Sequence, residues 1–343
     1  MNHSGTFDQL SNCTQIFIKE DIDFLELKNA LEAYKSLLLQ TSKLEETPVN
    51  KEHLYLDSGK AIGPEWAARC IDDILRTKRF ISGVYKAVLQ IRKRKKNEPV
   101  ILLYAGTGPF ATLVLPLITL FKPSKLQFVF LEINSISLES LKRTLTEFNA
   151  EAYVQHIYQC DASKFKLPDS NTIDIVLTEC LQHALAREPQ VAITYNLIPQ
   201  LRKDVILIPE QINLHIGLIN SKLRQENALT PANKKPVSFY KNYPSVFNLS
   251  KESILSRSSD LLENELQFPE TKTIFNPEDV QLYDEIAITT EITIFDNETL
   301  SMNDSGLSIP KLLGYFNKNQ RIRGVVSKYI SNNDPELSTK FIP

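Results

Sequence analysis

Residues 101–115, "ILLYAGTGPFATLVL", decide how the rest of the chain is read. An apolar run breaks at Gly106, Thr107, Gly108 and Pro109, then resumes in a pattern compatible with a helix. Glycine reaches backbone conformations closed to other residues and lets a ligand approach the main chain. Pro109 suits a first helical turn, where a missing N–H costs little, and a helix N-terminus offers unpaired N–H groups to a ligand. A plain strand-to-helix corner uses the same residues, so the stretch alone leaves both readings open.

The flanking sequence sets the context. Short apolar runs alternate with helical segments: "VILLYA" (100–105), "LQFVFLEI" (126–133), "VQHIYQCDA" (154–162), "IDIVLTE" (173–179) and "VILIPEQINLHIGLI" (205–219). Strands that alternate with helices predict right-handed crossovers and a mostly parallel sheet covered on both faces. The fold class expected is therefore α/β, with a Rossmann-like, doubly wound core over 96–220.

Residues 1–95 read as a helical segment preceding that core. Within 22–46, Phe24, Leu25, Ala30, Leu31, Leu37 and Leu38 recur at three and four spacings, which predicts an amphipathic helix. A second helix is expected over 64–94. The basic residues 92–96 at its end read as a solvated terminus whose cations suit the negative pole of the helix dipole, with an RNA or lipid contact as the alternative. Residues 221–343 read as a smaller β-rich domain for substrate or oligomer contacts. It carries a polar loop over 227–244, a helix over 250–263 and strand-like alternation over 285–295.

With 343 residues, 42% apolar and 23% charged, the chain can bury a substantial core. Its net charge of -2 disfavours a nucleic-acid partner. Gly and Pro interrupt 100–121, the longest apolar region, so no membrane span is expected. Cys13, Cys70, Cys160 and Cys180 form no CxxC pair, and the first residues lack a basic-then-apolar leader, which together predict a reducing, cytoplasmic location.

In a doubly wound sheet, ligands bind beyond the carboxyl ends of the strands. Glu132 lies about 25 residues past the glycine turn, where an acidic side chain can accept both hydroxyls of a ribose. Asp161 follows the next strand and can accept the amino group of an adenine; alone it also suits a helix N-cap. Glu179 ends the fourth strand and Glu188 follows nine residues later. Two carboxylates at a cleft mouth are costly without a cation between them, and a planar guanidinium with its fork of donors is the natural partner. Glu188 would otherwise face Arg187 or solvent. His183, inside this loop, is a candidate proton acceptor or a simple cap of the turn.

These residues stand in the order and spacing of one family. Residues 98–219 resemble class I S-adenosylmethionine-dependent methyltransferases, and among them the protein arginine methyltransferases. "YAGTGPF" (104–110) resembles their glycine-rich motif, closest to the Gly-Ala-Gly-x-Gly-Pro-Leu form of the symmetric-dimethylating branch. "LEIN" (131–134) resembles the ribose-binding Glu motif and "CDAS" (160–163) the adenine-contacting Asp. "TECLQHALARE" (178–188) resembles the double-Glu loop, Ser-Glu-x-x-Gly closing with a second Glu at the same offset. "LIPEQINLHIGLI" (207–219) is similar to the strand leading into the family's β-barrel, and "TKRFISGVYKAV" (77–88) to the helix that folds over the cofactor.

The resemblance implies S-adenosyl-L-methionine as cofactor. Gly106 and Gly108 would line its methionine and ribose part, Glu132 its ribose and Asp161 its adenine, with Tyr104, Thr107, Ile133, Ala162 and Glu179 completing the site. It further implies that Glu179 and Glu188, with His183 beside them, grip a guanidinium in a peptide, a protein or an arginine-like metabolite, without a metal. The family often dimerises, so a homodimer is within the expectation. The chain departs from the family pattern in several places: Tyr104 replaces an acid before the glycines, Phe110 a third glycine, and Cys180 and His183 the usual loop residues. No Thr-His-Trp signature follows, and the only tryptophan is Trp66. Those departures keep open a methyltransferase for another nitrogen or oxygen nucleophile and a non-catalytic scaffold. A nicotinamide-dependent dehydrogenase also stays open, its G-x-G-x-x-G/A fingerprint met here only through Ala111.

Overall fold

A computed structural model describes residues 3–229, 237–257, 266–316 and 322–343, except for the side chains of residues 3 and 4. The chain opens with α1 (His3–Phe17) and α2 (Phe24–Ser42), which pack on each other. Asp23 caps α2, accepting from the N–H groups of Leu25 and Glu26. The inward stripe of α2 is Leu27, Ala30, Leu31, Tyr34, Leu37 and Leu38. Phe24 and Leu25, expected within it, are 60% and 70% exposed. Leu25 lies about 200° around the helix from Leu27. Phe24 opens the helix, and its side chain points back past the first turn.

After α3 (Pro48–Lys51), a hairpin of β1 (Leu54–Leu56) and β2 (Gly59–Ala61) leads to α4 (Pro64–Arg69) and α5 (Ile74–Arg94). The single helix expected over 64–94 is thus interrupted at residues 70–73. Asp73 is extended and its side chain accepts the Arg76 N–H, so it stops one helix and starts the next. At the basic end of α5, Lys95 pairs with Asp174 at 2.7 Å and Arg92 donates to the Lys96 and Glu98 carbonyls.

The core sheet joins five parallel strands in the order β5, β4, β3, β6, β7: β3 (Val100–Ala105), β4 (Leu126–Glu132), β5 (Val154–Gln159), β6 (Ile175–Thr178) and β7 (Ile206–Ile208). Every residue of β3 is buried, as a central strand covered on both faces requires. The chain runs outward from β3 to β4 and β5, passing α6 (Ser135–Glu147) on the way, and returns to β6 on the other side of β3. That reversal places a crevice beyond the ends of β3, β4 and β6. Between β6 and β7 lies α7 (Gln190–Leu197).

The apolar stretch 205–219 is two strands, not one. Pro209, which has no N–H for a ladder, follows β7, and β8 (Gln211–Ile219) then enters an antiparallel sheet. After α8 (Ser221–Ala228), β9 (Tyr240–Ser250) takes up residues 240–244 of the expected loop; Pro244 is tolerated on this end strand, where the register shifts. Residues 230–236 lie outside the described residues. The helix expected over 250–263 is α9 (Lys251–Ser256); the part after 257 is likewise outside them. Beyond β10 (Thr271–Ile274) and α10 (Pro277–Leu282), β11 (Glu285–Phe295) covers the alternation read at 285–295. It pairs with β8, β12 (Glu298–Leu300) and β13 (Lys311–Tyr315), while β14 (Gly324–Ile330) joins β10 and β15 (Glu336–Ile342) in a second antiparallel sheet. One apolar core runs through both halves. Among the described residues, no helix is long and apolar enough to cross a membrane.

Candidate active site

Beyond β3 the chain turns through Gly106 (φ 74°) and Gly108 (φ 61°), both in the left-handed region that favours glycine. A Cβ on Gly106 would overlap the Cys180 sulfur. The α-helix expected after this turn is absent: irregular turns lead to a 3-10 helix at Leu115–Thr119. Pro116 accounts for the change, since it removes an N–H, clashes with the preceding turn and disfavours helical Leu115. Ala111 also sits at φ 48°. The chain past β3 is therefore a glycine turn and not a helix end, and the Gly106 N–H is taken by the Leu131 carbonyl at 2.8 Å.

Glu132 holds that turn. Its Oε2 accepts the Gly108 N–H at 2.8 Å and the Thr107 hydroxyl at 3.3 Å, and its Oε1 accepts the Asn134 N–H at 2.8 Å. Burial raises its pKa, opposed by these hydrogen bonds. Of roughly four acceptor directions on a carboxylate, its own chain takes most. Asp161 is likewise engaged locally, its Oδ1 accepting the Ser163 N–H at 2.9 Å and hydroxyl at 2.7 Å, an Asx-type turn and not a helix cap.

The crevice is a cavity of about 100 Å³. Its wall includes Tyr104, Gly106, Thr107, Gly108, Glu132, Ile133, Asp161, Ala162, Glu179 and Glu188, so the structure brings these sequence-nominated residues together. His183 is not among them. It lines a second cavity of about 430 Å³, bounded also by Trp66 and Leu307. Lys60, Ile62, Cys70, Arg76, Glu179 and Glu188 line both cavities, which places the two glutamates at the junction.

A cation for one of the two carboxylates, Glu179, is present in the chain itself. Arg76 donates from Nε to Glu179 Oε1 at 2.8 Å and from a terminal nitrogen to Oε2, and its other terminal nitrogen reaches the Cys70 carbonyl at 2.9 Å. Both side chains of the pair are nearly buried. Glu188 points inward and is 7% exposed, whereas Arg187 is exposed, so these neighbours do not share one environment. Burial pushes the Glu188 carboxyl from 4.5 up to about 7, against the pull of Gln182, Lys60 and Arg76. Burial likewise raises Tyr104 and Cys180, keeping phenol and thiol protonated, and Cys160 is pushed up to about 12.

The loop between the glutamates is strained. Ala184, Leu185 and Arg187 have φ of 60°, 51° and 67°, each a conformation that costs about 1 kcal/mol or more for a non-glycine residue. Contacts from three directions hold it. The Ala184 N–H donates to Thr290 Oγ1 at 3.0 Å, the Tyr329 hydroxyl donates to the Leu185 carbonyl at 2.7 Å, and the Arg187 N–H reaches the Pro335 carbonyl at 2.7 Å. The Lys60 N–H donates to the Arg187 carbonyl at 2.8 Å. Gln190 clamps the loop's start, accepting the Cys180 N–H at 2.9 Å and donating to the Thr178 carbonyl at 3.1 Å. His183 is lowered by burial and by Lys311 and Arg187, which favours the neutral imidazole.

Sequence reasoning missed Arg76, Lys60 and the wall at residues 305–307. Arg76 stands one residue before the stretch 77–88 already matched to a cofactor-covering helix, and the unpaired acids signalled the need for it. The wall residues carry no such signal. Ser305 Oγ and the Gly306 N–H bind Asp73 Oδ2 at 2.7 and 2.8 Å, a contact across more than 230 positions of sequence. Among the described residues, no group of three or more His, Cys, Asp or Glu side chains is placed to hold a metal ion.

No protein-family model matches the chain, and no curated protein matches its sequence. Solved structures similar to it include the PRMT1 enzyme-prozyme heterotetrameric complex with AdoHcy from Trypanosoma brucei, at 12% identity and a TM-score of 0.48, over 80% of this chain and 91% of that one. Another is protein arginine methyltransferase 10 of Arabidopsis thaliana in an open conformation, at 10% identity and a TM-score of 0.45, over 80% of this chain and 96% of that one.

Proposed function

We propose that the chain is an S-adenosylmethionine-dependent N-methyltransferase acting on a guanidinium, in an arginine of a peptide or protein or in an arginine-like metabolite. The observation that carries the reading is the junction. A crevice at the switch point, walled by a glycine turn and two strand-end acids, opens through Glu179 and Glu188 into a second cavity large enough for an acceptor side chain. The residues present fit the cofactor: the left-handed turn at Gly106 and Gly108 carries the main chain along the crevice wall, where Asp161 and the remaining acceptor direction of Glu132 also lie. When bound, the cofactor supplies an electrophilic methyl group on a sulfonium.

Glu179, fixed by Arg76, orients the acceptor nitrogen, and Glu188 offsets the charge on the guanidinium, so positioning and electrostatics supply most of the catalysis. Glu188, pushed up to about 7, is matched to accept the proton that the methylated nitrogen loses. His183, whose neutral form is favoured by burial and by Lys311 and Arg187, lines the outer cavity. The glycine motif is closest to the form found in the symmetric-dimethylating branch.

Titration calorimetry with S-adenosylhomocysteine and with NAD tests the cofactor, and failure to bind the first removes the proposal. Mass spectrometry of arginine peptides and guanidino metabolites after incubation with labelled S-adenosylmethionine tests the acceptor. Label appearing only on oxygen or on non-guanidino nitrogen would transfer the reading to another nucleophile.

A further inference from the structure

One wall of the inner cavity is held by an element far from it in sequence. Pro109, Thr112 and Leu113 belong to that wall, in the irregular stretch that stands where a helix was expected. In a helix the Thr112 carbonyl would accept from the N–H four positions on. That position is Pro116, which has none. The Leu115 N–H, the next donor along, is given to the Ala111 carbonyl at 3.0 Å. The hydroxyl of Tyr34 takes the place of the missing donor, reaching the Thr112 carbonyl at 2.9 Å across 78 positions of sequence.

Tyr34 lies on the inward stripe of α2 and is fully buried. Its ring packs against Phe17 of α1, with centroids 5.5 Å apart. Burial raises its pKa well above the ordinary phenol value, so the hydroxyl keeps the proton it donates. The helix pair grips the same stretch a second time, Thr14 of α1 donating to the Pro116 carbonyl at 3.3 Å. Ala111, between the glycine turn and Thr112, sits at φ 48°, a conformation that persists in a non-glycine residue only where its surroundings impose it. A carbonyl left without a donor here would be costly, and the short stretch that carries it runs directly on from Gly108.

We propose that Tyr34 is a positioning residue for cofactor binding, acting through the Thr112 carbonyl to hold residues 109–113 as a wall of the inner cavity. Helices α1 and α2, which lie outside the stretch 98–219 that resembles the methyltransferase core, are thereby part of the binding machinery. Thr112 lines the inner cavity and not the outer one, so the effect falls on the cofactor and not on the acceptor. The inference rests on the reading of that crevice as the S-adenosylmethionine site.

The test is titration calorimetry with S-adenosylhomocysteine, with urea unfolding alongside, on the full chain as wild type, Tyr34→Phe and Leu38→Ala. Leu38, one turn further along α2 and also fully buried, marks what general loosening of the helix pair does. Tyr34→Phe should weaken S-adenosylhomocysteine binding at least about fivefold. Leu38→Ala should lower the urea midpoint at least as far with less than about a twofold loss of affinity, and Leu38→Val serves if the alanine variant fails to fold. Adding Pro116→Ala to Tyr34→Phe returns an N–H four residues after Thr112 and should recover part of the affinity. Full affinity in Tyr34→Phe, an equal loss in the Leu38 variant, or no recovery with Pro116→Ala overturns the proposal. Absence of binding to the wild-type protein would instead remove the cofactor reading, and this inference with it.

Discussion

Replacing Glu188 by Gln should make the protein more stable at alkaline pH while disabling the site. The carboxyl is 7% exposed, and desolvation is the leading reason that it is pushed from 4.5 up to about 7. Below the lower value, folded and unfolded chains both hold the proton. Between the two values only the folded protein holds it, and above about 7 the folded protein must carry a buried charge. The stability linked to this proton is therefore complete below 4.5 and is lost as pH rises through about 7. The displacement corresponds to about 3 kcal/mol, of which about 2 kcal/mol is lost between about pH 5.5 and about pH 8.5.

Glutamine keeps the size and cannot ionise. Urea unfolding of both proteins at the two pH values isolates the effect, because every other titrating group cancels in the difference. The wild-type protein should fall relative to Glu188→Gln by about 2 kcal/mol across that range. Parallel curves would refute the reasoning and place the carboxyl in contact with water or with a cation. A guanidino ligand bound at the junction should narrow the gap, since a neighbouring cation restores the charged form.

Gly106→Ala should abolish binding of S-adenosylhomocysteine, since the new methyl meets the Cys180 sulfur; adding Cys180→Ala should restore part of it, the positive φ still costing about 1–2 kcal/mol. Arg76→Lys keeps the charge but loses the fork on Glu179, and turnover measured with labelled cofactor should fall at least tenfold, by about 1.4 kcal/mol or more. Tyr329→Phe leaves the Leu185 carbonyl unpaired and should lower stability in urea by about 1–3 kcal/mol, reducing turnover with cofactor affinity unchanged.

What sequence could reveal depended on whether a local pattern carried it. The strand Val100–Ala105 was legible because a strand buried on both faces must be continuously apolar, and β4, β6 and β11 were legible within a residue or two for similar reasons. The split at Pro209 was visible in principle, yet two adjoining apolar runs look like one when periodicity alone is consulted. The helix after Gly108 failed for a different reason: apolar spacing suggested it, and Pro116 with left-handed Ala111 prevented it. At the site, residue types were legible and their engagements were not. Glu132 could be picked out as a strand-end acid, but that it spends most of its acceptors on Gly108, Thr107 and Asn134 depends on how two turns meet in space.

The Arg76–Glu179 pair changes what the junction asks of its acceptor. With Glu179 already matched by a buried guanidinium, the pair presents little net charge to an incoming group. Glu188 is then the carboxylate whose charge is still unsettled, since burial pushes it up to about 7. A neutral hydroxyl or amide acceptor gives it no reason to ionise, so nothing is gained from burying an acid there. A cationic acceptor does, because the two charges are favourable together in a poorly solvated pocket and each is costly alone. On the proposed reading of the site, the cost of keeping Glu188 buried is lowest for an acceptor that brings its own positive charge.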